Sequence, residues 1–433
     1  MQTCRRTLPG RHCTDAHDFL DRMIKLRLWS LHSPIPMRLR RDAQPGGLVL
    51  ESTKGISYAM TETTFTDAGA NAPTSAQIPL TDIASQQRFR KNNFDGLRLI
   101  FATMVLVFHV ALLSDAPQLK ILTYLVSSTF AVQAFFVVSG FLVTMSFDNT
   151  KHIADYMKKR ILRIAPAYVV VVLACAFALF AMSSLSVTEY FGHPEWRSYV
   201  FYNLILSNFK HPDLPGVFSS NFESAVNGSL WTIKLEVMFY CLVPFIVWAV
   251  RRLGYRPVLG AIFILSISWQ LYFLYFSKMA DADLAVRLAR QLPGQLAFFG
   301  GGAFAYYRMR EGKLPPPPWI AAIAVAGYAF APGIFHTLVA PLCVTLVVYW
   351  AAMGVPQLWS AHRTGDFSDG LYLYHFPIAQ TLIALGVFTA APVAGLLAVF
   401  ALALLASVLS WHLIEKRALK LAHWRSAPPA TSK

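Results

Sequence analysis

Long apolar runs separated by short polar segments dominate the chain from about residue 97 onward. A helix needs about 20 residues, with a range of about 17–25, to cross the hydrocarbon core of a bilayer. Ten runs have about that length: 97–114, 121–147, 164–183, 232–250, 257–277, 290–307, 318–334, 336–354, 370–388 and 391–413. Because lipid offers no water to backbone N–H and C=O groups, each run must form a helix. The pattern therefore predicts an all-α, polytopic integral membrane protein with about ten transmembrane helices.

Residues 1–87 break this pattern, since they hold ten Lys and Arg, eight Asp and Glu, and many small or turn-forming residues. No apolar core of about 7–15 residues follows the basic start, so the segment does not have the pattern of a signal peptide. We expect disorder over most of it, or an upstream sequence from a wrongly chosen start, with Met60 as the internal alternative. The predicted membrane domain covers residues 88–415, and residues 416–433 form a predicted cytoplasmic tail.

The composition agrees with a membrane protein. Hydrophobic residues make up 55% and charged residues 14% of the chain, against about 45–50% and about 25% in soluble domains. These fractions exclude a soluble enzyme, a disordered hub and a nucleic-acid binder. Five cysteines with no CxxC pair and no Cys/His cluster predict neither a metal site nor a disulfide framework.

The net charge of +15 suits either a polyanion partner or an asymmetric membrane topology. With the N-terminus placed inside, the Lys and Arg residues that flank the spans divide 20 to 6 in favour of the cytoplasmic side. The positive-inside rule then predicts that both termini are cytoplasmic, as an even number of spans requires.

Few ionisable residues lie inside the predicted spans, and each is costly enough to be a functional hypothesis. They include His109 in the first span, Glu236 in the fourth and His375 in the ninth. From the helical rise, His109 and Glu236 lie about 18 Å and about 22 Å from the inner edge. A His–carboxylate pair is a general-base unit in which the acid orients the imidazole. The alternative is a structural hydrogen bond between two helices.

Three arginines mark the predicted inner face. Arg98 opens the first span about three helical turns before His109, so both side chains can face one groove. Arg160 and Arg163 have i,i+3 spacing on one helical face, which suits a phosphate or diphosphate. The alternative for all three is topology anchoring.

The one long external loop, residues 184–231, contains Trp196, Tyr199, Phe201 and Tyr202. Such a loop suits contact with a sugar or a polar lipid head group. An ordered interfacial lid with an aromatic belt is the alternative.

Five motifs in chain order resemble those of one family. They are NFDGLR at 93–98 followed by His109, FFVVSGFL at 135–142, RILRIAP at 160–166, SLWT at 229–232 with Glu236, and GLYLYHFP at 370–377. Over about residues 90–415 the chain resembles the membrane acyltransferase-3 family of bacterial surface-sugar O-acyltransferases. Other motif positions, which we expect to bind the acceptor or to be structural, are Asp95, Ser139, Ser229, Trp231 and His375.

The resemblance implies acyl-CoA, by default acetyl-CoA, as a co-substrate bound from the cytoplasm, with no bound cofactor and no metal. It implies a glycan hydroxyl as acceptor, on O-antigen, exopolysaccharide or a similar polymer, and a bacterial inner-membrane location. His109 is then the catalytic histidine, Arg98 its companion and Glu236 the motif acid, while Arg160 and Arg163 hold the CoA phosphates. Direct attack by the acceptor and an acyl-histidine intermediate both remain open.

Two departures qualify the resemblance. Gln133 stands where many family members carry an acid. No extracellular esterase-like domain follows the tenth predicted span, so the membrane domain either completes the transfer or passes the acyl group to a separate periplasmic partner. The rival function is a proton-coupled transporter or flippase that uses the buried His and Glu residues as a relay, and a third is a membrane scaffold.

Overall fold

A computed structural model describes residues 92–277, 282–357 and 365–424 of the chain. All regular secondary structure within these ranges is helical. The predicted N-terminal extension at 1–87 and the end of the predicted tail, residues 425–433, lie outside the described residues. The predicted domain boundaries therefore remain predictions.

Ten helices of the described part coincide with the ten apolar runs. They are α1 Phe94–Leu113, α2 Ser128–Asp148, α3 Ile153–Ala178, α4 Trp231–Leu253, α5 Tyr255–Leu271, α6 Leu292–Arg310, α7 Pro318–Phe330, α8 Gly333–Met353, α9 Ser368–Ala384 and α10 Pro392–Ser410. A 3₁₀ turn extends α3, and π-helical turns extend α5 and α10. The helix Lys416–Trp424 follows α10 within the predicted tail.

Seven of the described helices are long and apolar enough to cross a membrane: α1 to α5, α8 and α10, with their extensions included. Helix α7 has 13 residues, which span about 20 Å against a hydrocarbon core of about 30 Å. Helix α9 has 17 residues, and α6 contains several glycines and two arginines. The predicted total of ten spans and the predicted sidedness of the termini stay predictions.

Two helix starts, those of α2 and α3, differ by about two turns or more from those that the apolar pattern predicts. Helix α2 begins at Ser128 rather than residue 121, because the Ser127 hydroxyl accepts a hydrogen bond from the Phe130 N–H and caps the helix there. Helix α3 begins at Ile153, about three turns before the apolar run. Arg160 and Arg163 therefore lie within a helix rather than in a loop before it.

Helices α2 and α6 approach each other at glycines. A Cβ atom on Gly140 would overlap the carbonyl oxygen of Phe299, and one on Gly302 would overlap that of Val137. Small residues allow this close backbone approach in membrane bundles, where van der Waals packing drives helix association. Close packing of α2 against α6 thus explains the glycine that follows Ser139, and this contact holds the part of α2 that carries Ser139.

The 184–231 loop is tied to α9 through a proline. Pro377 has no N–H, so it leaves the Leu373 carbonyl without its helical donor. The side chain of Asn227 donates to that carbonyl at 2.9 Å. About two turns beyond Leu373 on α9, Gln380 Nε2 donates to the Glu223 carbonyl at 2.6 Å. Both contacts seat the loop on the same helix.

The loop is also tied to the end of α3. The Tyr190 hydroxyl and the Trp196 indole both donate to the Ala176 carbonyl, at 3.0 and 2.9 Å. Of the predicted contact aromatics, Tyr199 is buried and Phe201 is exposed. The loop is therefore ordered against α3 and α9, and its predicted roles as a sugar contact or an interfacial lid remain predictions.

Candidate active site

Two histidines meet where α1 packs against α9. The Nδ1 atom of His109 lies 2.9 Å from Nε2 of His375, and the two rings are nearly parallel, at 11°. The Nδ1 atom of His375 lies 3.1 Å from the Leu371 carbonyl, one turn earlier on α9. His375 has no exposed surface, whereas His109 is half-buried. Both histidines are sequence candidates, and the fold brings them into direct contact.

The Glu236 carboxylate has other partners. Its Oε1 atom accepts from the Tyr240 hydroxyl at 2.5 Å and from the Ser139 hydroxyl at 3.4 Å. The sequence predicts that Glu236 orients His109, but the hydrogen bond described for that imidazole is made with His375. The predicted pairing of Glu236 with His109 therefore stays a prediction beside the contacts that the two side chains make here.

Tyr240 is held in place at both ends. Pro244 lacks an N–H and frees the Tyr240 carbonyl, which accepts from the Tyr156 hydroxyl at 3.0 Å. The guanidinium of Arg160 lies over the Tyr240 ring, 5.7 Å from its centroid. The phenol that donates to Glu236 is therefore positioned by α3 as well as by its own helix.

Four largely buried charges, the four-charge cluster, connect α1, α3 and the start of α9. Arg98 Nη1 lies 2.5 Å from Asp366 Oδ2, and its Nη2 contacts Asp369. Arg163 Nη2 contacts Asp366 and lies 2.9 Å from Asp369 Oδ2. Burial alone would raise the pKa of Asp366, but the two guanidinium groups hold that pKa well below its usual range. Two positive and two negative charges thus balance, as buried ions require.

The two arginines of the predicted phosphate clamp have different partners in this structure. Arg163 is shared between Asp366 and Asp369, whereas Arg160 donates from Nη2 to the Ser146 hydroxyl at 2.9 Å. Sequence reasoning missed both aspartates. The available signal was Asp369 directly before the GLYLYH motif, at a helix start where a carboxylate is favourable.

An open cavity of about 50 Å³ lies between α1, α2, α3, α4 and α9. Its charged lining is formed by Arg98, Arg163, Glu236 and Asp369, and most of the other walls are apolar. Tyr372 is among the lining residues and precedes His375 on α9 by less than one turn. The cavity therefore joins the four-charge cluster to Glu236.

Ser229 and Trp231, two predicted motif positions near the start of α4, contact other parts of the protein core. Ser229 is buried, and its hydroxyl donates to Asn227 Oδ1 at 2.6 Å. The Thr232 and Tyr372 hydroxyls lie 2.8 Å apart. Trp231 begins α4 and packs against the core. These contacts hold the end of the 184–231 loop against α9.

Asp95 lies in the first turn of α1, where a carboxylate complements the helix N-terminus. Gln133 Oε1 accepts from the Tyr328 hydroxyl at 2.9 Å, so this amide connects α2 to α7. Within the described ranges no group of three or more His, Cys, Asp or Glu residues is arranged to hold a metal ion.

Comparisons with known proteins found a matching family model and similar proteins. A family model described as an acyltransferase domain matches residues 91–412. An O-acetyl transferase of Shigella phage Sf6 is 30% identical over 345 residues, which cover 78% of this chain and 98% of the relative. Nodulation protein 10 of Rhizobium leguminosarum bv. viciae is 27% identical over 381 residues, covering 76% of this chain and 94% of the relative. No solved structure matches the chain at a significant level.

Proposed function

The chain belongs to the membrane acyltransferase-3 family, and we propose that it moves an acyl group from acyl-CoA to a sugar hydroxyl of a cell-surface or periplasmic glycan. The family match and the O-acetyl transferase relative support membrane O-acyl transfer. The name of that relative also favours acetyl as the transferred group.

The contact between His109 and His375 is the observation that carries the proposal. Polar groups inside a membrane bundle are costly and tend to mark function. A neutral imidazole is suited to proton transfer near physiological pH. In the proposed reaction His109 takes the proton of the acceptor hydroxyl while the hydroxyl oxygen attacks the thioester carbon. The C–S bond then breaks, and the CoA thiolate leaves and takes the proton back from His109.

The cavity supports the choice of donor. CoA is too anionic to enter lipid, whereas its narrow pantetheine arm suits a mostly apolar cavity with arginines on its wall. We expect the CoA phosphates to meet Arg160 and Arg163 near the cytoplasmic face. Arg160 Nε is buried without a hydrogen-bond partner among the described residues, and Arg163 is already shared by two carboxylates. Arg160 is therefore the stronger candidate for the phosphate contact.

The proposed topology has ten spans, both termini in the cytoplasm and a location in the bacterial inner membrane. The 20-to-6 division of Lys and Arg supports this sidedness. In the proposed topology the donor is bound from the cytoplasmic face and the acceptor approaches from the outer face. Glu236, which lines the cavity, remains a predicted catalytic residue.

Membrane vesicles supplied with radiolabelled acetyl-CoA and a bacterial polysaccharide test the proposal. Wild-type vesicles should label the polysaccharide, and His109→Ala should abolish labelling at an equal protein level in the membrane. His152→Ala is the matched control, since His152 is exposed before α3 and should leave labelling unchanged. Labelling that persists in His109→Ala contradicts the base assignment. Polysaccharide movement without label in wild-type vesicles would instead support a transporter.

A further inference from the structure

The protons of the two histidines can be assigned from their contacts. The Leu371 carbonyl can only accept, so the contact at 3.1 Å makes Nδ1 of His375 a donor. A neutral imidazole has one N–H, so Nε2 of His375 carries a lone pair. That nitrogen must then accept the N–H of His109 Nδ1 across 2.9 Å. The lone pair of His109 is consequently on Nε2.

The neutral form of His375 follows from its surroundings. The side chain has no exposed surface, and a desolvated cation without a partner is costly. The neighbouring rings are those of His109, Tyr372 and Phe376, with centroids 5.2, 6.0 and 6.3 Å away. None of these carries a negative charge that would favour a resting imidazolium.

We propose that His375 is a positioning residue for the acyl transfer, which fixes His109 in the tautomer whose Nε2 atom receives the hydroxyl proton. The inference rests on the proposed function, and it assigns to a neutral histidine the orienting role that a carboxylate usually has. The histidine pair is held by the Leu371 backbone carbonyl, which accepts from His375 Nδ1 and brings no charge into the membrane bundle.

The same contact stays in place during the reaction. When Nε2 of His109 gains the hydroxyl proton, its Nδ1–H still donates to Nε2 of His375, whose Nδ1–H remains on the Leu371 carbonyl. The positive charge is lost when the leaving thiolate takes the Nε2 proton from His109. Of the two histidines, only His109 gains and loses a proton, and His375 stays neutral.

Two substitutions of similar polarity separate positioning from packing. In His375→Gln the amide reaches the position of the imidazole Nε2, so its oxygen still accepts from His109. In His375→Asn the shorter amide reaches only the Nδ1 position, so it contacts Leu371 and no longer accepts from His109 Nδ1. We expect His375→Asn to lower kcat by about 100-fold or more, with donor and acceptor KM values unchanged. His375→Gln should keep kcat within about tenfold of wild type.

Equal losses in both variants, or an unchanged kcat in His375→Asn, would overturn the positioning role. A raised KM with an unchanged kcat would also overturn it, because that result indicates substrate binding.

A tautomer measurement tests the inference without activity. Nitrogen-15 spectra of histidine-labelled protein in bilayers, recorded above about pH 8 where an ordinary imidazole is neutral, should show His109 protonated at Nδ1. The His109 signal is identified by its loss in His109→Ala. The signal should become a mixture of tautomers in His375→Asn and stay unmixed in His375→Gln. A His109 protonated at Nε2 in the wild type contradicts the inference, whereas the predicted spectrum without acyl transfer contradicts only the proposed function.

Discussion

Neutralising Asp366 tests whether the four-charge cluster holds the bundle together. The Asp366 side chain is 9% exposed and contacts two arginines that are each 16% exposed. Asp366→Asn keeps the size of the side chain, and its amide oxygen can still accept from Ser368 as Asp366 does. The substitution leaves two guanidinium groups against the single carboxylate of Asp369. Breaking a buried pair costs about 3–5 kcal/mol, so we expect a loss of about 3 kcal/mol in the free energy of unfolding.

Purified protein in mixed micelles, unfolded with increasing SDS and followed by tryptophan fluorescence, measures this loss. Glu195→Gln is the control, because that carboxylate is 60% exposed and its histidine partner is 3.8 Å away. An exposed pair contributes at most about 1 kcal/mol. Combining Asp366→Asn with Arg163→Gln restores charge balance, so the double variant should lose less than the two single losses added together. A change below about 0.5 kcal/mol in Asp366→Asn, or strict additivity, refutes the reasoning.

The same variant has a defined pH dependence. The pKa of Asp366 is below its usual range in the folded protein because the two arginines outweigh the effect of burial. Its contribution to stability is therefore complete above the ordinary aspartate pKa of about 3.9 and is lost as pH falls through the lower folded-state value. The stability difference between wild type and Asp366→Asn should be constant above about pH 5 and shrink below about pH 4. A difference that grows on acidification contradicts this assignment.

Two further substitutions test the packing and the outer loop. Gly302→Ala should lower the free energy of unfolding by about 1–3 kcal/mol and lower activity, because its Cβ would overlap the α2 backbone. Thermal unfolding measures the loss of stability. Gly300→Ala is the control, since its Cβ would meet only a side-chain methyl group at 3.4 Å. Asn227→Ala should lower the free energy of unfolding by about 1–3 kcal/mol, because the Leu373 carbonyl loses its donor. Adding Pro377→Ala should restore part of that stability, because residue 377 then has an N–H that can donate to the same carbonyl. No recovery in the double variant contradicts this account.

Some of the site was predictable because the chemistry of a single residue was enough. His109 and His375 stand out as ionisable groups within apolar runs, where each is costly. Arg98 and Arg163 were predicted from motif positions, but their partners were not. Asp366 lies outside the spans, where an acidic residue is ordinary, and only the fold brings it between α1 and α3.

The amino-acid sequence by itself determined the membrane class, the positions of the ten helices and the family, because lipid forces apolar runs into helices and the motifs occur in order. It did not determine how each helix is rotated about its axis. That rotation depends on close packing, such as the glycine contact between α2 and α6. Tertiary structure therefore decided that His109 meets His375 while Glu236 meets Tyr240 and Ser139. Residues at the same depth become partners only when their helices turn the two side chains toward each other.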